Sequence, residues 1–199
     1  LGGLFPGAAN VEAFWENLRT NQRQIREVPE AHWGAGAYRC PEGESSDQVQ
    51  VSYAWHAGMI TDFTFDHFDC LKFHISPKAA EVADRIHLML LKVTEEARVS
   101  AGAEFQLPEE ETVVLIGNSM GGEATKLGTI RVHIPDVLES IRRTPAFEEL
   151  DAAKGERLLE ELKEVMSRRS PGITEDTLVG CAGSTLAGRI SGYLKVYGG

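Results

Sequence analysis

Apolar residues recur with the period of a helix in two parts of the chain. The first covers residues 11–18 and directly follows Asn10, a residue type that commonly caps helices. The second follows Ser76 and Pro77, a capping residue and a proline at the first helical position. It predicts one long helix with a single buried stripe, formed by Val82, Ile86, Met89, Leu90, Val93 and Ala97.

A different pattern occurs in the stretch Glu111–Glu123, which reads ETVVLIGNSMGGE. Residues 112–116 form a run rich in β-branched side chains, as is typical of a buried strand. The run ends in a turn that contains three glycines, residues 117–122, and a helix is expected to follow it. Alternating apolar residues predict a further, exposed strand at Val49, Val51, Tyr53 and Trp55.

The last third of the chain is predicted to be helical. Between Glu139 and Arg169, acidic and basic residues are interleaved with apolar ones, which predicts a solvated amphipathic helix within an inserted helical pair. A final periodic element covers Thr174–Leu194 and has an apolar face that includes Leu186 and Ile190. Its small residues are expected to allow close approach of another backbone: Ala182, Gly183, Ala187 and Gly188.

Composition narrows the class of protein. A chain of 199 residues with 42% hydrophobic residues can bury a substantial core. Its net charge of −10 argues against nucleic acid or an anionic membrane as the main partner. The widely spaced Cys40, Cys70 and Cys181 suggest reduced intracellular thiols. Because the chain has no apolar run of about 18 residues and no signal peptide, we expect a soluble, cytoplasmic protein.

Ser119 is the first candidate for chemistry. The turn Gly117–Gly121 fits the G-x-S-x-G pattern that presents the nucleophile of α/β-hydrolases. Such an enzyme needs an acidic residue and then a histidine later in the chain than the serine. The only histidine after Ser119 is His133, just 14 residues further on. Because a serine without a base is a poor nucleophile, the pattern favours a structural or pocket-wall role and leaves a serine hydrolase as the alternative.

Two other candidates are weaker. Cys181 would be a more reactive thiol at a helix N-terminus, but no histidine follows it, and a packed core residue is favoured. Asp66, His67, Asp69 and His74 are close in sequence, but a loop before a helix commonly collects such residues as turn formers. We therefore predict no metal site.

Several segments, in this order, resemble the N-terminal half of a β-ketoacyl synthase domain of the polyketide synthase kind. They are LFPGAANVEAFWENLRTNQRQIREVPEAHW, FDHFDCLKFHISPKAAE, RIHLMLLKVTEEA, IGNSMGGE and AGSTLAGRISGYLKVYGG. A finer similarity is to the ketosynthases of enediyne and polyunsaturated-fatty-acid-type iterative synthases. The resemblance implies that residues 1–199 are part of an α/β, thiolase-like domain of layered αβαβα type, with a helical insertion at 124–172. Both chain ends are then expected to be cuts through that domain.

The resemblance also implies an activity. The family catalyses decarboxylative Claisen condensation of an acyl thioester with a malonyl unit on an acyl carrier protein, and it works as a homodimer. It needs no cofactor of its own, because the phosphopantetheine is carried by the acyl carrier protein. The family nucleophile is a cysteine in a motif like D-T-A-C-S-S-S, assisted by two later histidines in H-G-T and G-H contexts. None of these motifs occurs in this chain, so we assign it no catalytic residue.

In the family, an apolar residue in the glycine loop helps to form the far end of the acyl pocket, near the dimer interface. The resemblance places Met120 there, flanked by Ser119 and Gly121, as substrate-binding residues. A plain core role for Met120 is the alternative. The chain departs from the family's usual M-D-P-Q-Q-R around Val82–His87, and from F-G-I-S-P at His74. These departures suit an atypical iterative enzyme or a non-catalytic partner resembling a chain-length factor.

Overall fold

The computed structural model describes residues 1–30, 40, 52, 54–61, 63–102, 106–119, 122–170 and 172–198. The chain divides into two compact units. The first consists of Leu1–Thr64 with Glu95–Glu104, and the second of Phe65–Thr94 with Phe105–Gly199. No helix among the described residues is both long enough and apolar enough to cross a membrane.

Within these ranges the chain is rich in helix and contains one small sheet. The elements in order are α1 (Val11–Arg19), β1 (Ile25–Glu27), β2 (His56–Gly58), a 3₁₀ turn (Phe65–His67), α2 (Pro77–Val82), α3 (Arg85–Ala101), α4 (Glu123–Arg142), α5 (Pro145–Glu148), α6 (Ala152–Arg169), α7 (Glu175–Cys181) and α8 (Thr185–Leu194). Strands β1 and β2 pair antiparallel, with Arg26 opposite Ala57. Helix α3 contributes residues to both units.

The first unit is held together around its first helix. Asn10 caps α1 as predicted, because its side-chain oxygen accepts a hydrogen bond from the backbone N–H of Ala13 at 2.8 Å. The ring of Phe14 stacks on Phe5, with the ring centroids 4.1 Å apart. The Glu96 carboxylate accepts hydrogen bonds from the backbone N–H groups of Gly3 and Val11, at 3.2 and 3.4 Å. Val49, Val51 and Tyr53 of the predicted exposed strand lie outside the described residues, whereas Trp55 directly precedes β2 and its carbonyl accepts a hydrogen bond from Val28 N at 2.8 Å.

The predicted long helix is two helices, so that prediction is wrong. Ser76 and Pro77 start α2 as predicted, but the backbone at Ala83 is extended and a new helix begins at Arg85. Because α3 is a separate helix, it buries a different set of side chains from the predicted stripe. The fully buried positions of α3 include His87, Leu88 and Leu91. The predicted stripe residues are only partly buried: Val82, Ile86, Met89, Leu90, Val93 and Ala97.

The predicted buried strand before the glycine turn is also absent. Residues 112–119 have no regular secondary structure, and Leu115 is 88% exposed. Thr112 is anchored, because its N–H donates to Pro108 O and its carbonyl accepts from Gly198 N. No described residue pairs as a strand with residues 113–119, and a strand is stable only where a neighbour satisfies its backbone. The helix expected after the turn is confirmed as α4.

Helices α4 and α6 pack against each other. The single helix predicted between Glu139 and Arg169 is interrupted, because this stretch contains the end of α4, the short α5 and then α6. Their inner faces bury Ile134 and Leu159, and the Arg142 side chain bridges to Glu156 across the pair at 3.1 Å. The outer faces carry charges paired along each helix, such as Arg157 with Glu161. That residues 124–172 are an insertion stays a prediction.

The final element is also broken, at residues 182–184, into α7 and α8. Leu186 and Ile190 of α8 are buried, as predicted. The close backbone approach occurs at Gly180, where a Cβ would lie 2.9 Å from the Cα of Ala83. At Gly188, where close approach was predicted, a Cβ would have nothing within 4 Å.

Candidate functional site

The side chain of Asp84 joins the starts of two helices in the second unit. Its Oδ1 accepts from the N–H of Ile86 at 3.2 Å in the first turn of α3. Its Oδ2 accepts from the N–H of Ala124 at 3.0 Å in the first turn of α4. Its own N–H donates to Gly180 O of α7 at 2.8 Å. Asp84 is only 3% exposed, so its buried carboxylate joins α3 and α4 and compensates their two helix dipoles, while its backbone N–H ties both to α7.

Gly122 lies directly against this carboxylate. It is the N-cap residue of α4, and a Cβ built on it would overlap the Asp84 carboxylate group. Only glycine therefore fits here without displacing a buried, hydrogen-bonded charge. The C-terminal end of the glycine turn is thus fixed in position by Asp84, which we call the Asp84 clamp.

The structure describes one of the three predicted substrate-binding residues. Ser119 lies at the end of the extended segment, is exposed, and forms no hydrogen bond with a described residue. Met120 and Gly121 lie outside the described residues. Their predicted place in the wall of an acyl pocket stays a prediction.

His133, the only histidine after Ser119 and therefore the candidate base of a serine hydrolase, pairs with another side chain. Nδ1 of His133 lies 3.1 Å from Oδ2 of Asp136, one turn further along α4, and both side chains are exposed. This is an i,i+3 pair of the kind found on helix surfaces. No hydrogen bond joins His133 to Ser119 in the described part of the chain.

Cys181 is placed as a packed thiol. It is the last residue of α7, so it faces the C-terminal end of the helix and not the N-terminal end that would activate it. Its sulfur lies 4.0 Å from Val82 O. Burial raises the pKa of the Cys181 thiol, and the negative charge of Asp84 raises it further. Both effects oppose formation of the nucleophilic thiolate.

His87 is a buried residue that the sequence pattern did not single out. It is 1% exposed, and neither ring nitrogen has a hydrogen-bond partner among the described residues. The pKa of His87 is lowered from 6.5 to about 4, first by burial and second by the charge of Arg189, against an opposing effect of Asp84. The imidazole is therefore neutral at neutral pH. The sequence feature that could have drawn attention to His87 is its position three residues after Asp84, a residue type that commonly caps helices.

An apolar groove of about 360 Å³ lies along α4 and α7. It starts at Ala124, the residue that Asp84 holds, and its two walls are tied together by the Thr125 hydroxyl, which donates to Cys181 O at 3.0 Å. This volume is within the range of small-molecule pockets. Apolar side chains dominate its lining, which includes Val132, Ile173 and Leu178. The groove therefore suits an alkyl chain.

The acidic and histidine residues before α2 behave as turn formers. Asp69 Oδ1 accepts from Lys72 N at 3.0 Å. Among the described residues, no three His, Cys, Asp or Glu side chains are arranged to hold a metal ion. The side chain of His67 is not among those described.

Comparison with known proteins points to one family. A family model described as "Beta-ketoacyl synthase, N-terminal domain" matches residues 1–199. The chain is 33% identical over 118 residues to polyketide synthase PksL of Bacillus subtilis, covering 59% of this chain and 2% of that protein. It is 36% identical over 103 residues to the non-reducing polyketide synthase phnA of Penicillium herquei, covering 50% of this chain and 4% of that protein.

A third relative is polyketide synthase ThaG of Burkholderia thailandensis. It is 31% identical over 102 residues, covering 51% of this chain and 2% of that protein. The chain thus spans a small fraction of the length of these three relatives.

Proposed function

Because the chain belongs to the β-ketoacyl synthase family, in the part described as its N-terminal domain, we propose that it serves acyl-chain elongation in polyketide biosynthesis. The reaction is decarboxylative Claisen condensation between an acyl thioester and a malonyl unit on an acyl carrier protein. The phosphopantetheine is supplied by that carrier, and the working assembly is a homodimer. The similarity to three polyketide synthases supports this proposal.

The same proposal includes the thiolase-like layered αβαβα fold. The exposed, unpaired segment before the glycine turn supports it, because Val113 and Leu115 are 52% and 88% exposed. Apolar side chains on an extended backbone gain stability when a neighbouring strand pairs with them and covers them. In the layered fold this segment is a strand of the central sheet.

Within the condensing domain, this chain shapes the acyl pocket. The observation that carries this role is the Asp84 clamp, which fixes the end of the glycine turn beside the start of an apolar groove. Gly122, which lies against Asp84, directly follows Ser119, Met120 and Gly121 in the chain, the residues that we propose to line the pocket. The thioether of Met120 is flexible and polarisable, which suits a wall that bounds an alkyl or polyene chain.

The test is a condensation assay on the synthase of which we propose this chain to be a part. The purified synthase is mixed with an acyl thioester and with carrier protein loaded with ¹³C-labelled malonyl, and the carrier-bound product is identified by mass spectrometry. We expect a β-ketoacyl product extended by two labelled carbons. No extended product, from a folded synthase with loaded carrier, contradicts catalysis.

The alternative is a non-catalytic partner that sets chain length. It is favoured by the departures from the family's usual residues around Val82–His87 and at His74. Such a partner gives no product alone but changes product length when it is added to an active ketosynthase. The same assay, run with and without an active ketosynthase, therefore separates the two functions.

A further inference from the structure

Arg189 of α8 carries a charge that the described chain does not balance. It is half-buried, and it forms no hydrogen bond or ion pair with another described residue. Burial lowers the pKa of its guanidinium group. By contrast, the more exposed Arg19, Arg143 and Arg157 each pair with a glutamate. The guanidinium group of Arg189 is therefore partly desolvated and available to a negatively charged partner.

Two ionisable residues of the same unit, Asp84 and His87, do not supply that partner. The Asp84 carboxylate is committed to the N–H groups of Ile86 and Ala124. His87 is neutral at neutral pH because its pKa is lowered to about 4, and Arg189 itself contributes to that lowering. The chain has 30 acidic residues against 20 basic ones, yet none of the described carboxylates pairs with Arg189. An anion that pairs with Arg189 would therefore come from outside the described chain.

Arg189 lines a groove of about 730 Å³ in the second unit. One wall is aromatic, with the rings of Phe73 and Tyr193 tilted by 52° and their centroids 5.1 Å apart. Ile75, Ala79 and Val179 extend the apolar lining.

The floor of this groove is open. Gly188 and Gly192 are one helical turn apart on α8, and a Cβ on either would meet nothing within 4 Å. The groove thus combines one unbalanced cation with apolar walls and free room beside it.

We propose that this groove binds a small amphipathic carboxylate. The planar guanidinium of Arg189 matches a carboxylate through two parallel hydrogen bonds, and the aromatic wall accommodates the apolar body of the ligand. The site goes beyond the elongation function proposed above and does not depend on it.

Isothermal titration calorimetry of the 199-residue chain with octanoate tests the site. Octanamide is the matched neutral probe, because it replaces the carboxylate by an amide of nearly the same shape. We expect one octanoate per chain, and octanamide binding weaker by about tenfold or more, as for loss of a charged hydrogen-bond partner. Equal binding of the two probes, or no octanoate binding at millimolar concentration, overturns the proposal.

Variants locate the binding. Arg189→Met is expected to weaken octanoate binding by about tenfold or more and to remove the preference over octanamide. The control is Arg23→Met, which makes the same charge change at an exposed arginine of the first unit and leaves binding unchanged. Octanoate binding that survives Arg189→Met, or that falls equally in Arg23→Met, contradicts the assignment.

A second variant does not touch the charge. Gly188→Leu fills the open floor of the groove without a clash at its Cβ, so the fold is expected to persist by circular dichroism. It is expected to abolish binding of both probes. Unchanged octanoate affinity in folded Gly188→Leu places the ligand elsewhere and overturns the proposal even where Arg189→Met fails to fold.

Discussion

Gly122 and Asp84 are in such close contact that a single added methyl group would overlap the buried carboxylate. That carboxylate already accepts hydrogen bonds from the first turns of α3 and α4. The glycine that ends the turn and the aspartate that starts α3 therefore form one structural unit. Its consequence is that Gly122, which directly follows Gly121 in the chain, is held in position.

Gly122→Ala is expected to destabilise the chain by about 2 kcal/mol or more, because the added methyl group must displace a packed, hydrogen-bonded carboxylate. Urea unfolding followed by circular dichroism measures this. The control is Gly128→Ala in α4, where a Cβ meets nothing within 4 Å. That change is expected to stabilise the helix by about 0.5–1 kcal/mol. Equal effects of the two substitutions would contradict the close contact.

Asp84→Asn is expected to cost about 1.5–3 kcal/mol of stability. The amide keeps the shape of the side chain, but it has one acceptor oxygen, and its NH₂ group faces a backbone N–H that it cannot bond. Asp136→Asn is the control, because Asp136 is an exposed side chain of α4. If both variants unfold at the same urea concentration as the unsubstituted chain, Asp84 is not a clamp.

Burial of neutral His87 predicts a pH dependence of stability. Its pKa in the folded chain is about 4, below its ordinary value of 6.5. As pH falls below 6.5 the unfolded chain binds a proton that the folded chain does not, so stability decreases until the pH reaches about 4. The loss amounts to as much as about 3 kcal/mol.

His87→Met should flatten this dependence between pH 6.5 and 4, whereas His133→Gln, at an exposed histidine, should leave it in place. Urea unfolding at intervals of half a pH unit measures both. A His87→Met chain with the same pH profile as the unsubstituted chain would show that another group is responsible.

The structure gives Ser119 no described base, so a fluorophosphonate probe is not expected to label the chain. Labelling is read by intact-protein mass spectrometry, with a known serine hydrolase as the positive control. Labelling that disappears in Ser119→Ala would establish the hydrolase alternative.

Features that depend on neighbouring residues could be predicted from the sequence. Asn10 and Ser76 both cap helices as predicted. Each accepts a hydrogen bond from a backbone N–H only three residues further along the chain, so the local sequence is sufficient to predict the cap. The Asp84 clamp could not be predicted, because it joins backbone and side chain across 40 residues. The helix break before Arg85 could not be predicted either, because the apolar residues keep their helical spacing on both sides of it.

The strand predicted before the glycine turn was wrong for a different reason. The run of residues 112–116 has the composition of a buried strand, but strand formation depends on a pairing neighbour that no local pattern specifies. The turn was recognised from its glycines, while the reason for one of them, Gly122, became visible only when Asp84 was found against it.

The most direct test of the account is the product length of the proposed synthase carrying Met120→Trp. The larger side chain should shorten the acyl pocket, so the products should lose one or more two-carbon units while condensation continues. Leu71→Trp is the control, because the Leu71 side chain is 85% exposed and a larger side chain there fills no pocket. Shorter products from Met120→Trp alone, measured by mass spectrometry, are the predicted result. Products of unchanged length would contradict the claim that the glycine turn bounds the acyl chain.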